Sequence, residues 1–421
     1  MTSAPVAIRP GVDPSRPIAI LLLATPILAV IQFRGLAPAI ALGLAATVLL
    51  SWRRTGRLPV PGGGASLLLL GFFVWALIGA GWAMDAGRAA ETSLRLGAFA
   101  MLGASAAVAV VGADAAARHR LGRHLAWGLA LGAGFALADH LSGNALRGLM
   151  RGHLEPSPRL YAGLKPAVSV LAVLLPIAAF PPWLPRRLRI LLVIFTVVVV
   201  QSLIADAAKI AVVVGLLAGA LAWWRPRLVA ACLGAGLVVV FLATPLLIRS
   251  LTDAGPDLSH IPPSAAHRVL IWEFVNTRIA ERPVFGWGLE AGRAMPGGKT
   301  PVPTATLEHF GLATSRSPEW LRTAAEQLPL HPHNGAMEVW LDLGLVGALI
   351  AAALAWRLSR LALRVVPAAS GLGALAAVAL VGQLSYGIWQ AWWIGLQMLV
   401  VVALAALTSA DSKDGGRAAG L

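Results

Sequence analysis

Twelve apolar stretches separated by short polar or basic interruptions run along the 421-residue chain. They lie at approximately 17–33, 35–51, 65–84, 93–113, 124–141, 161–180, 190–205, 208–224, 228–248, 334–355, 368–386 and 390–408. Each comes close to the roughly 17–25 residues that an α-helix needs to cross a bilayer core. The pattern predicts an all-α, polytopic integral membrane protein of about twelve transmembrane helices. Residues 1–248 hold the first nine, 249–333 form one large extramembrane loop, 334–408 hold the last three, and 409–421 form a cytoplasmic tail without predicted structure. Arg9 and Arg16 before the first stretch give it the look of a signal peptide. Its continuation into a second stretch predicts an uncleaved start.

The basic residues orient this pattern. Arg53, Arg54 and Arg57 follow the second stretch, Arg118, Arg120 and Arg123 the fourth, and Arg186, Arg187 and Arg189 the sixth. Arg225 and Arg227 follow the eighth, and Arg357, Arg360 and Arg364 the tenth. With both tails, that side carries 18 of the 34 Lys and Arg residues; outside the long loop, where the rule does not count, the other side carries 8. Both termini are therefore expected in the cytoplasm and the loop outside. Only 13% of residues are charged, against about 25% in soluble domains. The net charge of +15 is spread between apolar segments rather than gathered with aromatic partners, so it does not point to nucleic acid. The single Cys232 excludes an internal disulfide and a Cys-rich metal site, and its apolar surroundings suggest a small buried hydrophobe.

Roughly 85 residues of loop are too many to be structureless in a compact protein, so function is expected there. A first loop helix is predicted from Ala265 to Arg282, with Arg268, Trp272, Val275 and Ile279 on one face and Glu273 and Glu281 pointing away. Pro283 and the Gly286-Trp287-Gly288 turn end it. A second short helix is expected at Ser317-Pro318, and the Pro- and Gly-rich 294–303 reads as a mobile crossing. At the far end, His331-Pro-His333-Asn334 runs straight into an apolar helix, with Asn334 as its N-cap. Imidazole is the side chain suited to proton transfer near neutrality. A metal reading of His331, His333, Glu308 and His309 lacks a ligand framework such as His-Glu-x-x-His. Asp206 and Lys209 in a tight external turn, and Arg159 and Lys165 before the sixth stretch, admit two readings: snorkelling interfacial charges, or fixed cations for an anionic lipid head group. Arg268 on an apolar helix face needs an anion or a carbonyl partner. Asp139 and Gln201, Gln383, Gln390 and Gln397 read as helix–helix hydrogen bonders, and Trp389, Trp392 and Trp393 as an outer interfacial belt.

Two blocks carry a family resemblance. His333-Asn334, nine residues, then Gly344-Leu-Val-Gly347 resembles the signature of the O-antigen ligase family of bacterial membrane proteins. Ser264-Ala-Ala-His-Arg268-Val-Leu-Ile-Trp272, with Glu281-Arg-Pro283 and Gly286-Trp-Gly288, is similar to its second block. O-antigen polymerases and protein O-oligosaccharyltransferases are similar in both blocks. The resemblance implies a GT-C-like fold in the bacterial inner membrane, with an active site facing the periplasm. It implies glycan transfer from undecaprenyl diphosphate to the lipid A–core, inverting, independent of metal and of any cofactor. The family's essential histidine falls on His333 and its loop arginine on Arg268; another family arginine falls nearest Lys209, and Lys165 stands near a further one. Lysine keeps the charge but loses the bidentate fork. His331 or Asn334 would orient the base. A Wzy-type polymerase using the same donor is the alternative, and a twelve-span transporter a more distant one, since no paired halves are visible.

Overall fold

The computed structural model describes residues 13–150, 152, 163–313 and 326–408. The expected helix at Ser317-Pro318, Arg9, Arg159 and the tail after Ser409 lie outside the described residues. Every predicted apolar stretch is a helix: α1 (Arg16–Gln32), α2 (Leu36–Thr55), α3 (Gly64–Ile78), α4 (Ala86–Val110) and α5 (Ala115–Leu141). After a short α6 (Ala145–Met150) follow α7 (Lys165–Ala179), α8 (Arg186–Ser202), α9 (Asp206–Trp224) and α10 (Pro226–Asp253). The long segment contributes α11 (Pro263–Glu281) and α12 (Thr304–His309) before α13 (Gly335–Leu361), α14 (Ala368–Leu384) and α15 (Ala391–Ala405). Among the described residues there is no strand, only isolated bridges at Pro301–Glu326 and Val365–Thr408. Among the described residues six helical stretches, the first of them joining α1 and α2, are long and apolar enough to cross a membrane. This is the architecture of a polytopic membrane protein.

Local chemistry sets the boundaries. Asp85 and Asp114 cap α4 and α5, their side chains accepting the Arg88 and Ala117 N–H groups. Proline occupies the first turn of α1, α7, α10 and α11, where its missing N–H costs nothing. Gly56 ends α2 in the left-handed conformation. Residues 166–178 of α7 are nearly all buried, so this helix, apolar on every side, is the axis of the bundle. Leu42, Trp224 and Leu246 stand more than two-thirds exposed on the outside, a surface tolerable only against lipid. Cys232 also lies on the outside of α10, not in the core as expected. Two residues, about half a turn of helix, separate it from the buried Ala230 and Gly234, so it faces the opposite way.

Small residues decide which helices meet. Gly215 and Gly219 of α9 oppose Gly373 of α14; a Cβ on Gly373 would lie 2.7 Å from the Gly215 carbonyl oxygen. The two backbones therefore approach as small-xxx-small helices do in membranes.

The sharpest departure from regular helix is inside α13. Gly344 adopts φ 62°, ψ −160°, a conformation reserved for glycine, and interrupts the helical ladder. The chain at 283–288 fills the break. The Leu345 N–H donates to the Pro283 carbonyl at 2.8 Å, and the Trp287 and Gly288 N–H groups donate to the Leu341 and Asp342 carbonyls at 2.9 Å each. The Trp75 indole of α3 donates to the freed Leu343 carbonyl at 3.0 Å. Thus Gly344 and the Gly286-Trp287-Gly288 turn form one joint that locks the long segment onto α13.

Residues 294–303 are more ordered than a mobile crossing. Gln327 and Leu328 donate backbone N–H groups to the Thr300 and Gly298 carbonyls, and Met295 and Val302 are buried. Along α11, Val275 and Ile279 are buried as expected, and Glu281 is paired with Arg278 at 2.7 Å. Glu273 does not point away: it is half-buried, and burial pushes its carboxyl up against the opposing pull of His309.

Candidate functional site

The start of α13 is held from three sides. Asn334 caps it as expected, its Oδ1 accepting the Met337 N–H at 3.0 Å. Gln383 of α14 accepts the Ala336 N–H at 2.9 Å, and Glu338 accepts the Ile388 N–H at 2.8 Å. The Trp272 indole of α11 donates to the Pro332 carbonyl at 2.9 Å. His333 precedes the cap with φ +54°, in the left-handed region. A non-glycine residue there costs about 1–3 kcal/mol and persists only where its surroundings over-determine it.

Those surroundings also orient the ring. His333 Nδ1 lies 2.9 Å from the Ser385 carbonyl oxygen. A carbonyl only accepts, so Nδ1 carries the proton and Nε2 keeps a free lone pair. The His331 ring sits 4.2 Å away, and its Nδ1 accepts the His333 backbone N–H at 3.2 Å. The Ser385 carbonyl, rather than a side chain of Asn334 or His331, therefore fixes the His333 tautomer. Burial lowers the pKa of His333, opposed by the Ser385 hydrogen bond and reinforced by the positive charge of Arg268, His267 and Lys165. Burial, with His333, Arg293 and Arg268, pushes His331 down to about 3. Both imidazoles are neutral at pH 7.

The basic residues singled out from the sequence gather at this same end of the bundle. Arg268 is half-buried, and its side chain makes no hydrogen bond or ion pair among the described residues. Burial lowers its pKa, while the Asp206 carboxylate holds it up. Asp206 also pairs with Lys209 at 3.7 Å, so one carboxylate serves two cations. Lys209 is further anchored through its carbonyl, which accepts from Gln201 at 3.1 Å. Lys165 is exposed at the first turn of α7, and its charge reaches His333. Among the described residues no three His, Cys, Asp or Glu side chains form a metal-holding group.

Behind the histidines lies a network the sequence reading passed over. Asp342 accepts the N–H groups of Glu290 at 2.9 Å and Ala291 at 3.2 Å, and the Trp389 indole at 2.6 Å. Trp389, Trp392 and Trp393 are accordingly buried, not spread along a lipid interface as expected. They lie between the helices because their rings pack on Asp342, Phe33, Tyr386 and one another. The signal was available: Glu338 and Asp342 stand one turn apart in an apolar helix, where carboxylates are costly and need partners. Asp139 is a helix–helix hydrogen bonder as expected, its buried carboxylate paired with Arg147, 2.6 Å away on the following short helix.

Comparison with known proteins falls on this half of the chain. Residues 190–352 match the O-antigen ligase family, a span that contains Lys209, Arg268, His333 and Gly344. A protein of Rickettsia conorii carrying the name "Putative polysaccharide ligase" is 31% identical over 153 residues, 35% of this chain and 33% of its own length. Similarly named proteins of Rickettsia bellii and Rickettsia prowazekii are 27% and 31% identical over 181 and 148 residues. These cover 42% and 34% of this chain, and 41% and 33% of the relatives. The chain thus spans about a third to two-fifths of the length of the relatives it matches. The segment that carries both motifs is thus similar to the O-antigen ligase family and to these polysaccharide-ligase relatives.

Proposed function

We propose that this chain is a membrane glycosyltransferase of the ligase type. It moves a glycan from undecaprenyl diphosphate to a hydroxyl of the lipid A–core at the periplasmic face of the inner membrane. In this reading all twelve long helices cross the bilayer and the 249–333 segment lies outside. The excess of arginine at the opposite end of the bundle supports that orientation. The observation that carries the chemistry is the His333 geometry: Nδ1–H tied to Ser385, Nε2 free, the ring neutral, and Arg268 and Lys165 acting on the same ring.

The acceptor hydroxyl gives its proton to His333 Nε2 as its oxygen bonds the anomeric carbon. The bond from that carbon to the diphosphate oxygen breaks, and undecaprenyl diphosphate leaves. Single displacement inverts the anomeric centre. Negative charge grows on the leaving diphosphate, and Arg268, with Lys209 and Lys165, stabilises it in a partly dry cleft. Asn334 and His331 shape the loop that holds the base. The energy comes from the diphosphate linkage, so no nucleotide is needed.

The test is a lipopolysaccharide gel from a deletion strain, read with the glycans extracted from the undecaprenyl carrier. The expected result is lipid A–core without repeats and long glycan accumulating on the carrier. Lipid A–core capped by a single repeat would make the protein a polymerase, and an unchanged ladder would overturn the proposal.

A further inference from the structure

A second polar feature lies on the far side of His331. At the start of α4, Arg88, Glu91, Thr92 and Arg95 fall at i, i+3, i+4 and i+7, which places them on one helical face. That face meets Glu290 and Arg293 of the long segment. Arg88 bonds Asp85 at 3.1 Å and stands 3.9 Å from Glu290, which Arg293 holds at 2.8 Å; Arg95 stands 3.9 Å from Glu91. Together they line a recess of about 440 Å³, within the range of about 300–1,000 Å³ typical of small-molecule sites. Its walls are polar, which excludes a lipid tail. Three guanidiniums face three carboxylates, so the recess has no net charge to select an anion. Alternating bidentate donors and paired acceptors instead match the vicinal hydroxyls of a sugar ring.

Its position gives this meaning. Glu290 and Arg293 also line a cavity of about 20 Å³ whose other wall includes His331, so the recess lies one side chain beyond the histidine pair. Glu290 is, with His333 and Asn144, one of three non-glycine residues in the left-handed region among the described residues. Its N–H is held by Asp342. The same joint that sets α13 therefore also aims the Glu290 carboxylate into the recess.

We propose that this recess is a carbohydrate subsite, holding a neutral sugar ring one or more units removed from the reacting one. The proposal rests on the glycan-transfer reading above. The ring belongs either to the acceptor or to the donor glycan, and the chemistry of recognition is the same.

The experiment uses the full chain in lipid nanodiscs and two soluble probes: delipidated core oligosaccharide, and the repeat-unit glycan released from its carrier by mild acid. Binding is titrated by saturation-transfer NMR for the wild type, R88Q/R95Q, the conservative surface variant E91Q, and H333A. At least one probe is expected to bind wild type and H333A equally, and R88Q/R95Q at least tenfold more weakly. E91Q should weaken it in the same direction even if the double variant fails to fold. The probe that loses affinity names the glycan, and KM for that substrate should rise tenfold with kcat within twofold. Equal binding to wild type and to the folded variants, or no binding of either probe to wild type, overturns the subsite. Full transfer by H333A would instead overturn the reaction reading, and the binding titration would still decide the recess.

Discussion

His333 and Arg268 lie at one end of the same bundle, yet they are held in opposite ways. His333 is fixed in backbone conformation, tautomer and ring direction by Ser385, His331 and a capped helix start. Arg268 is half-buried with no fixed partner among the described residues and feels Asp206 only through its field. The difference follows from what each would do. A general base must point a lone pair along one line to the hydroxyl it deprotonates. A cation that neutralises developing charge acts through space and gains from an unspent hydrogen-bonding capacity. Rigid aim and an uncommitted charge are therefore two solutions within one site.

The comparison breaks most easily at its rigid side. H333A should lower transfer by about 10²–10⁴-fold with membrane levels unchanged; activity within tenfold of wild type would remove the base. R268A should lose about 10²–10³-fold, and R268K should recover most of it, because a field does not need a fork. If R268K is as inactive as R268A, the guanidinium makes a directed bond and the contrast fails. G344A tests the joint beneath His333. Its Cβ would meet the Val284 carbonyl, and an L residue at φ 62°, ψ −160° costs about 1–3 kcal/mol before that clash. A lower thermal midpoint is expected, with transfer falling in parallel.

Smaller effects sharpen the picture. K209A should lose about tenfold, since Lys209 shares Asp206 with Arg268, whereas K209R should match wild type; equal rates for both variants would return Lys209 to an interfacial role. The pH profile tests His333 directly. Its folded pKa lies below the ordinary 6.5, so the neutral base is fully present at neutrality and is lost only as pH falls through that depressed value. Transfer should stay level from pH 7.5 to about 6.5 and decline below it. An acid limb centred above 6.5 would mean that burial and the neighbouring cations do not outweigh the Ser385 hydrogen bond at this ring.

Much of this was legible in the chain itself. All twelve apolar stretches became helices, because length and composition decide helix formation where backbone groups find no water. Asn334 was readable as a cap and α11 within two residues of its ends, since both signals are local. His333, Arg268, Lys209 and Lys165 were readable as candidates through charge in apolar surroundings and through two motifs. What was missed was non-local. Trp389 reads as an interfacial residue until Asp342, 47 positions earlier, is seen to accept its N–H. Nothing local marks the Ser385 carbonyl, because any residue has one. Gly286 reads as part of a turn and Gly344 as part of a motif, but that the two form one joint shows only when the long segment is found seated in the helix break.

The sequence by itself determined the helical class, the axial order of apolar and basic segments, and which side chains carry usable chemistry. These depend on hydrophobic transfer and charge, properties each residue brings with it. Only the tertiary structure decided which nitrogen of His333 is free, which cations share Asp206, and that α4 meets Glu290 and Arg293 across the recess. Each of those depends on hydrogen bonds and packing between segments far apart in the chain, where direction rather than composition sets the outcome.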